Sequence, residues 1–203
     1  MTVIVDYGMG NLFSLCSSFE AIGVTAEVSS DPEVIKSADR IILPGVGAFA
    51  DAAKKLRITG LDAVLINEAK KGKPFLGICL GMQLLFDKSY EYGEHEGLGL
   101  IPGTVEPISA FIPSGYKIPH IGWNALIMCN ESPIFKYCKT GDHVYFVHSY
   151  CAVTGIENVA AQTEYGAELT AAVQRENVFG CQFHPEKSGD TGLAILKAFC
   201  EVR

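Results

Sequence analysis

Between Pro74 and Phe86 the chain changes character at a single cysteine. Pro74-Phe75-Leu76-Gly77-Ile78 reads as a short buried strand, and Met82-Gln83-Leu84-Leu85-Phe86 as the first turns of a helix. Cys79 stands between them, inside Gly77-Ile78-Cys79-Leu80-Gly81. A strand that passes into a helix across one residue commits this part of the chain to α/β layering. A nucleophile at such a turn projects into a cleft, and flanking glycines let the backbone make it without side-chain clashes. The helix start adds free N–H groups and a positive dipole end, which favour a thiolate over a thiol. A free cysteine is commonly just a small buried hydrophobe, so the motif needs support from elsewhere.

His184-Pro185-Glu186 supplies that support. Residues i and i+2 of an extended segment point to the same side, and the proline restricts the backbone between them. Glu186 can then bond one imidazole nitrogen while the other faces the sulfur, the logic of nucleophile, base and orienter.

Around these residues, strands and helices alternate. Val3-Ile4-Val5 is a buried-strand run, and Leu12, Leu15, Cys16, Phe19 and Ile22 recur at helical spacing before a capping Gly23. A strand around Ala26-Glu27-Val28 precedes the helix start Ser30-Asp31-Pro32. Ile41-Ile42-Leu43 is a third strand, followed by Pro44-Gly45-Val46-Gly47; a helix over Leu61 to Ala69 leads to the strand before Cys79. This alternation predicts a parallel sheet. The second half is strand-rich, with runs at 118–121, 144–147, 159–163, 169–174 and 178–183, some joined as hairpins, and a last helix at about 191–201. Strand ends carrying Pro44-Gly45-Val46-Gly47, Cys79 and His184 can share one crevice at the carboxyl edge of the sheet.

The 203 residues allow one substantial domain, residues 1–203, and the net charge of −7 without a basic stripe excludes nucleic acid as an expected partner. No apolar run approaches a membrane span, and the start of the chain lacks the signature of a secretory signal. Seven scattered cysteines without a Cys-x-x-Cys pair, and no paired-histidine spacing, argue against a metal site or a dithiol motif; neither metal nor cofactor is expected. The cytoplasm is the expected compartment.

With these motifs in view, the chain resembles the class I (triad) glutamine amidotransferases. More narrowly, Pro119-His120-Ile121-Gly122-Trp123-Asn124 and Tyr145-Phe146-Val147-His148-Ser149-Tyr150 are similar to segments of glutaminase subunits of imidazole glycerol phosphate synthases, and the likeness spans nearly the whole sequence. It implies a single flavodoxin-like domain: an open mixed sheet with a parallel core, added antiparallel hairpins and helices on both faces. It implies hydrolysis of L-glutamine to glutamate and ammonia by Cys79, His184 and Glu186, with the oxyanion held by the N–H groups of Leu80 and Val46. Gly47, Gln83, Glu91, Ser149 and Tyr150 are implied around the substrate. The implied partner is a (β/α)₈-barrel cyclase subunit in a heterodimer, which takes the ammonia to make imidazole glycerol phosphate and an aminoimidazole carboxamide ribotide in histidine biosynthesis. Asn11, Pro119, Ile121, Trp123, Tyr145 and Lys187 are the implied interface residues.

Alternatives stand beside this. Gly45 and Gly47 fit either a tight turn or a peptide that flips to complete the oxyanion site on partner activation. Glu91 fits a substrate contact or one of the solvated charges in the run to Glu96; Trp123 fits a core position or an interface anchor. Other triad glutaminases, such as one serving pyridoxal phosphate synthesis, a cysteine hydrolase on a related scaffold, and a regulatory subunit with an inert Cys79 share parts of the pattern. Residues 104–117 carry no recognisable signature.

Overall fold

A computed structural model describes residues 1–202 of the chain. In chain order it comprises β1 (Thr2–Val5), α1 (Leu12–Ala21), β2 (Ala26–Ser29), α2 (Pro32–Ser37), β3 (Arg40–Leu43), α3 (Phe49–Thr59), α4 (Leu61–Lys70), β4 (Phe75–Ile78), α5 (Leu80–Gln83) and β5 (Phe86–Ser89). There follow β6 (His95–Glu96), β7 (Ile101–Pro107), β8 (His120–Ala125), β9 (Ile127–Met128), β10 (His143–His148), β11 (Tyr150–Val153), β12 (Val159–Glu164), β13 (Glu168–Arg175), β14 (Val178–Cys181) and α6 (Gly189–Cys200).

The main sheet runs β2-β1-β3-β4-β14-β13-β12-β9. Its pairs are parallel from β2 to β14 and antiparallel beyond, so the parallel core carries an antiparallel extension as expected. Alternate residues of each core strand bury to opposite sides. Val3, Ile41, Leu43 and Phe75 pack with α2, α3 and α4, whereas Ile4, Ile42, Leu76 and Ile78 pack with α1 and α6. Burial on both faces is why these strands read as continuous apolar runs. The helix starts follow side-chain chemistry: Asp31 accepts from the Glu33 N–H with Pro32 in the first turn, and Asn11 caps α1 through Ser14.

Three expectations are corrected. The helix expected to run through Met82–Phe86 is a single turn, α5, after which the chain becomes β5. Leu84, Leu85 and Phe86 are all fully buried, which no one helix face allows. The carbonyls of Leu84 and Leu85 are taken by the N–H groups of Leu98, Leu100 and Ile101. A second helix, α3, stands before the expected one, with Phe49, Ala52, Ala53 and Leu56 buried at helical spacing; Gly60, at φ 71°, breaks it from α4. The strand expected at 118–121 begins at His120 and runs to Ala125, paired with β10 in a two-stranded ribbon. A four-stranded sheet, β11-β7-β5-β6, was not anticipated and absorbs part of the unassigned 104–117 stretch. Among the described residues no helix is long and apolar enough to cross a membrane, and no cluster of three or more His, Cys, Asp or Glu could hold a metal ion.

Candidate active site

The end of β4 delivers Cys79 with φ 55° and ψ −111°. A non-glycine residue held there stores ~1–3 kcal/mol of strain, which the surroundings must impose. They do so through the backbone: the Cys79 N–H donates to the Cys181 carbonyl at 2.7 Å, and its carbonyl accepts from the Gln83 N–H at 3.1 Å. The flanking glycines are required by close approach. A Cβ on Gly77 would lie 2.6 Å from the Gly81 carbonyl oxygen, and one on Gly81 would collide with the Leu43 carbonyl. The elbow is thus pressed against the end of β3. Because α5 has four residues, the helix dipole expected at Cys79 reduces to the free N–H groups of one turn.

From β14 the chain crosses Gln182 and Phe183 to His184, whose N–H donates to the Tyr145 carbonyl at 3.0 Å. Its Nδ1 is 2.7 Å from Glu186 Oε1, and both side chains are almost fully buried. The Cys79 side chain shares the cleft with the ring and acts on its charge. Burial works against a charged imidazole and is the largest single influence. It is outweighed by the Cys79 sulfur and the hydrogen-bonded Glu186 carboxylate, which together push His184 up to about 9. Both neighbours favour the protonated ring. The second oxygen of Glu186 has no hydrogen-bond partner among the described residues, so this carboxylate serves the imidazole alone.

Cys79 and His184 line a cleft of about 370 Å³, within the ~300–1,000 Å³ usual for small-molecule sites. Val46, Gly47, Leu80, Gln83, Glu91, Pro119, Ser149, Tyr150 and Lys187 line it with them. A larger cavity of about 720 Å³, between β9 and the turn at Pro133–Phe135, holds no nucleophile–base pair. Chemistry, and not volume, selects the first. Cys79 is 8 % exposed, enough to meet a ligand from the cleft and too little to be freely solvated.

The loop Pro44-Gly45-Val46-Gly47 packs directly on the elbow. A Cβ on Gly45 would sit 2.8 Å from Gly81 N, 2.8 Å from the Tyr7 hydroxyl and 2.9 Å from Leu80 Cβ. Gly45 is thus fixed by space, whereas Gly47 sits at φ 99°, where side chains are disfavoured. Tyr7 donates its hydroxyl to the Pro44 carbonyl at 2.8 Å and so anchors the loop's first half. Glu91 accepts from the Phe49 N–H at 2.5 Å, so it steadies the start of α3 while facing the cleft, unlike the exposed Glu94 and Glu96. Gln83 donates to Gln182 Oε1 at 3.0 Å, and Gln182 in turn points its amide N–H at Cys79 Sγ, 3.8 Å away.

Trp123 is 52 % exposed and Ile121 58 %, which removes the core reading of the tryptophan. Trp123 meets Tyr145 edge-on at 6.0 Å across the β8–β10 ribbon, and Lys187 Nζ lies 5.8 Å from the Tyr145 ring. Pro119 and Lys187 belong to the cleft wall as well, so this apolar patch adjoins the site. Asn11 caps α1 through its side chain. Sequence reasoning missed Tyr7, Gln182 and the buried His120–His148 pair. Each lies within or beside a motif already noted, yet an alternating pattern cannot say which buried polar side chains meet.

The class-I glutamine amidotransferase family model matches residues 3–202. The imidazole glycerol phosphate synthase subunit HisH of Caldanaerobacter subterraneus subsp. tengcongensis is 52% identical over 100% of this chain and 98% of its own length. The HisH subunit of Aquifex aeolicus is 51% identical, covering 98% of this chain and 95% of that protein. Among solved structures, the PurLQS complex of Thermotoga maritima contains a chain with TM-score 0.75 and 22% identity, covering 98% of this chain and 96% of that one; a crystal structure of a glutamine amidotransferase also gives TM-score 0.75, at 20% identity. These two show the fold. By family model and full-length identity, the chain belongs to the class-I glutamine amidotransferases, and within them to the HisH subunits of imidazole glycerol phosphate synthase.

Proposed function

We propose that this chain, acting as one unit over residues 1–203, hydrolyses L-glutamine and passes the ammonia to a (β/α)₈-barrel cyclase subunit in a heterodimer. The cyclase uses it to form imidazole glycerol phosphate and an aminoimidazole carboxamide ribotide in histidine biosynthesis. The observation that carries the reading is the forced conformation of Cys79 beside the His184–Glu186 pair in a cleft.

The Cys79 sulfur attacks the side-chain amide carbon of glutamine, and charge gathers on the carbonyl oxygen. In this reading the Leu80 N–H, following the nucleophile, and the Val46 N–H, once its peptide has turned, hold that oxyanion. His184, whose charged form Cys79 and Glu186 favour, gives the proton that the leaving ammonia takes up. A thioester remains; His184 then deprotonates the water that cleaves it, and glutamate leaves. Glu186 keeps the ring oriented and stabilises its charged form. Gln83, Glu91, Gly47, Ser149 and Tyr150 hold the substrate's amino-acid end, and the wall they share with Cys79 supports that assignment.

The Val46 N–H belongs to the Gly45–Val46 peptide, which leads from Pro44–Gly45, held by Tyr7 and the elbow, to the half-exposed Val46, where the peptide can turn. Partner docking on Ile121, Trp123 and Tyr145, with Pro119 and Lys187 at the cleft, turns that peptide into its donor orientation. The test compares glutamate release by the wild type and Cys79→Ser, alone and with the cyclase and its nucleotide ligand. The proposal requires release to rise in the complex and vanish in Cys79→Ser. Full turnover by the isolated chain, unchanged by the partner, would refute the loop switch; activity retained in Cys79→Ser would refute the chemistry.

A further inference from the structure

His120 and His148 face each other across the β8–β10 ribbon, both buried, with His120 Nδ1 and His148 Nε2 3.0 Å apart. The contacts continue at both ends. His148 Nδ1 is 2.8 Å from the Tyr150 carbonyl, in the cleft wall; His120 Nε2 is 2.9 Å from Asn124 Oδ1. The Asn124 orientation is fixed by its other atom, since Nδ2 donates to the Glu164 carbonyl at 2.8 Å. Both ends of this chain are therefore acceptors.

Counting protons exposes a conflict. The Tyr150 carbonyl needs one N–H, Asn124 Oδ1 needs another, and the histidine–histidine contact needs a third. Two neutral rings supply two. Charging one ring would satisfy all three contacts, but burial holds both rings toward neutral, His148 down to about 4, and no carboxylate hydrogen-bonds either ring among the described residues. Phe146 and Tyr165 stack on His120; the Tyr165 hydroxyl turns to the Lys117 carbonyl and the Glu164 carboxylate to the Gly166 N–H. One contact must be given up. Opening the middle would set two lone pairs face to face at 3.0 Å between two buried rings. Two arrangements remain: protons on both Nδ1 atoms, which hold Tyr150 and release Asn124, or on both Nε2 atoms, which hold Asn124 and release Tyr150.

We propose that His120 and His148 are positioning residues that couple the β8 ribbon to the Tyr150 carbonyl in the glutamine cleft by exchanging these two arrangements. Each ring keeps one proton throughout. In the exchange the middle proton moves from His120 Nδ1 to His148 Nε2, water on the cleft side takes the proton from His148 Nδ1, and water beside Asn124 supplies one to His120 Nε2. Asn124 follows exposed Trp123, so covering the ribbon changes the water that Asn124 can reach and biases the exchange. The Tyr150 carbonyl also receives Gln83 Nε2 at 3.4 Å, so its state reaches the substrate contacts. The functional half of this inference rests on the glutaminase reading; the tautomer half does not.

The experiment is nitrogen NMR of ¹⁵N-histidine-labelled chain, free and bound to the cyclase, with glutamine KM measured in the complex. Wild type is expected to give exchange-averaged ring shifts that move on cyclase binding. Asn124→Ala removes one acceptor, and both rings should then hold their protons on Nδ1. If the two arrangements are near balance, the KM for glutamine falls about twofold while kcat holds. Asn124→Asp should shift the His120 proton to Nε2. One fixed tautomer pattern in wild type, unmoved by either substitution, would overturn the coupling even if glutaminase activity is normal. Absence of glutaminase activity with the expected shifts would instead overturn the glutaminase reading and leave the exchange standing.

Discussion

Gly45→Ala isolates what the contact between oxyanion loop and elbow is worth. Gly45 has no positive φ, so alanine meets no torsional objection; the obstacle is space alone. Its Cβ would stand 2.8–2.9 Å from Gly81 N, the Tyr7 hydroxyl and Leu80 Cβ, where ordinary contact begins at 3.4 Å. Two of the three neighbours belong to the elbow itself and cannot swing aside, so the loop must lift by roughly 0.5 Å or more. A displacement approaching 1 Å at a reacting centre costs about 10²-fold, and losing one oxyanion donor outright costs ~10²–10³. We therefore expect kcat of the complex to fall about 10²-fold, with KM for glutamine changed less than about threefold, because the substrate's amino-acid end binds elsewhere. Overpacking should cost ~1–3 kcal/mol of stability, visible in a urea melt. Steady-state glutamate release with the cyclase and its ligand present is the assay. A kcat within threefold of wild type in a folded variant would refute the reasoning, since it would mean that the loop's seat on the elbow does not position a donor.

The remaining expectations are simpler. His184 is raised to about 9, so its native-state contribution to stability is complete below its unfolded value near 6.5 and is lost as pH rises through about 9; kcat/KM should fall over the same alkaline window as the ring loses the proton ammonia needs. Glu186→Gln removes the negative charge beside Nδ1 that favours the protonated ring, so the alkaline limb should move to lower pH, with kcat down by ~10²–10⁴. Trp123→Ala should weaken the heterodimer by about 2 kcal/mol, roughly 30-fold in Kd by calorimetry, and leave the fold's melting temperature unchanged, because the ring is half exposed.

Most of the parallel core was legible because its strands are buried on both faces and bracketed by cap chemistry: Asp31-Pro32 and Gly23 each did what their types predict. The triad was legible for a related reason, since an elbow and a histidine–proline–glutamate run leave few geometries open. Failures concentrated where long-range pairing overrides local pattern. Leu84-Leu85-Phe86 has good helix character, yet its carbonyls are captured by residues 98–101, which no local window contains. The helix Phe49–Thr59 was readable in its buried spacing and was overlooked because alanine makes that spacing faint. The His120–His148 pair lay in motifs already singled out, but only the β8–β10 register brings the two rings together.

The central claim is that the Cys79 sulfur becomes covalently joined to the γ-carbonyl of glutamine. Wild type acid-quenched during turnover with glutamine and the cyclase should show, by peptide mass spectrometry, a γ-glutamyl adduct on the peptide carrying Cys79. Glutamate released while that peptide stays unmodified in every sample quenched during turnover would contradict the account.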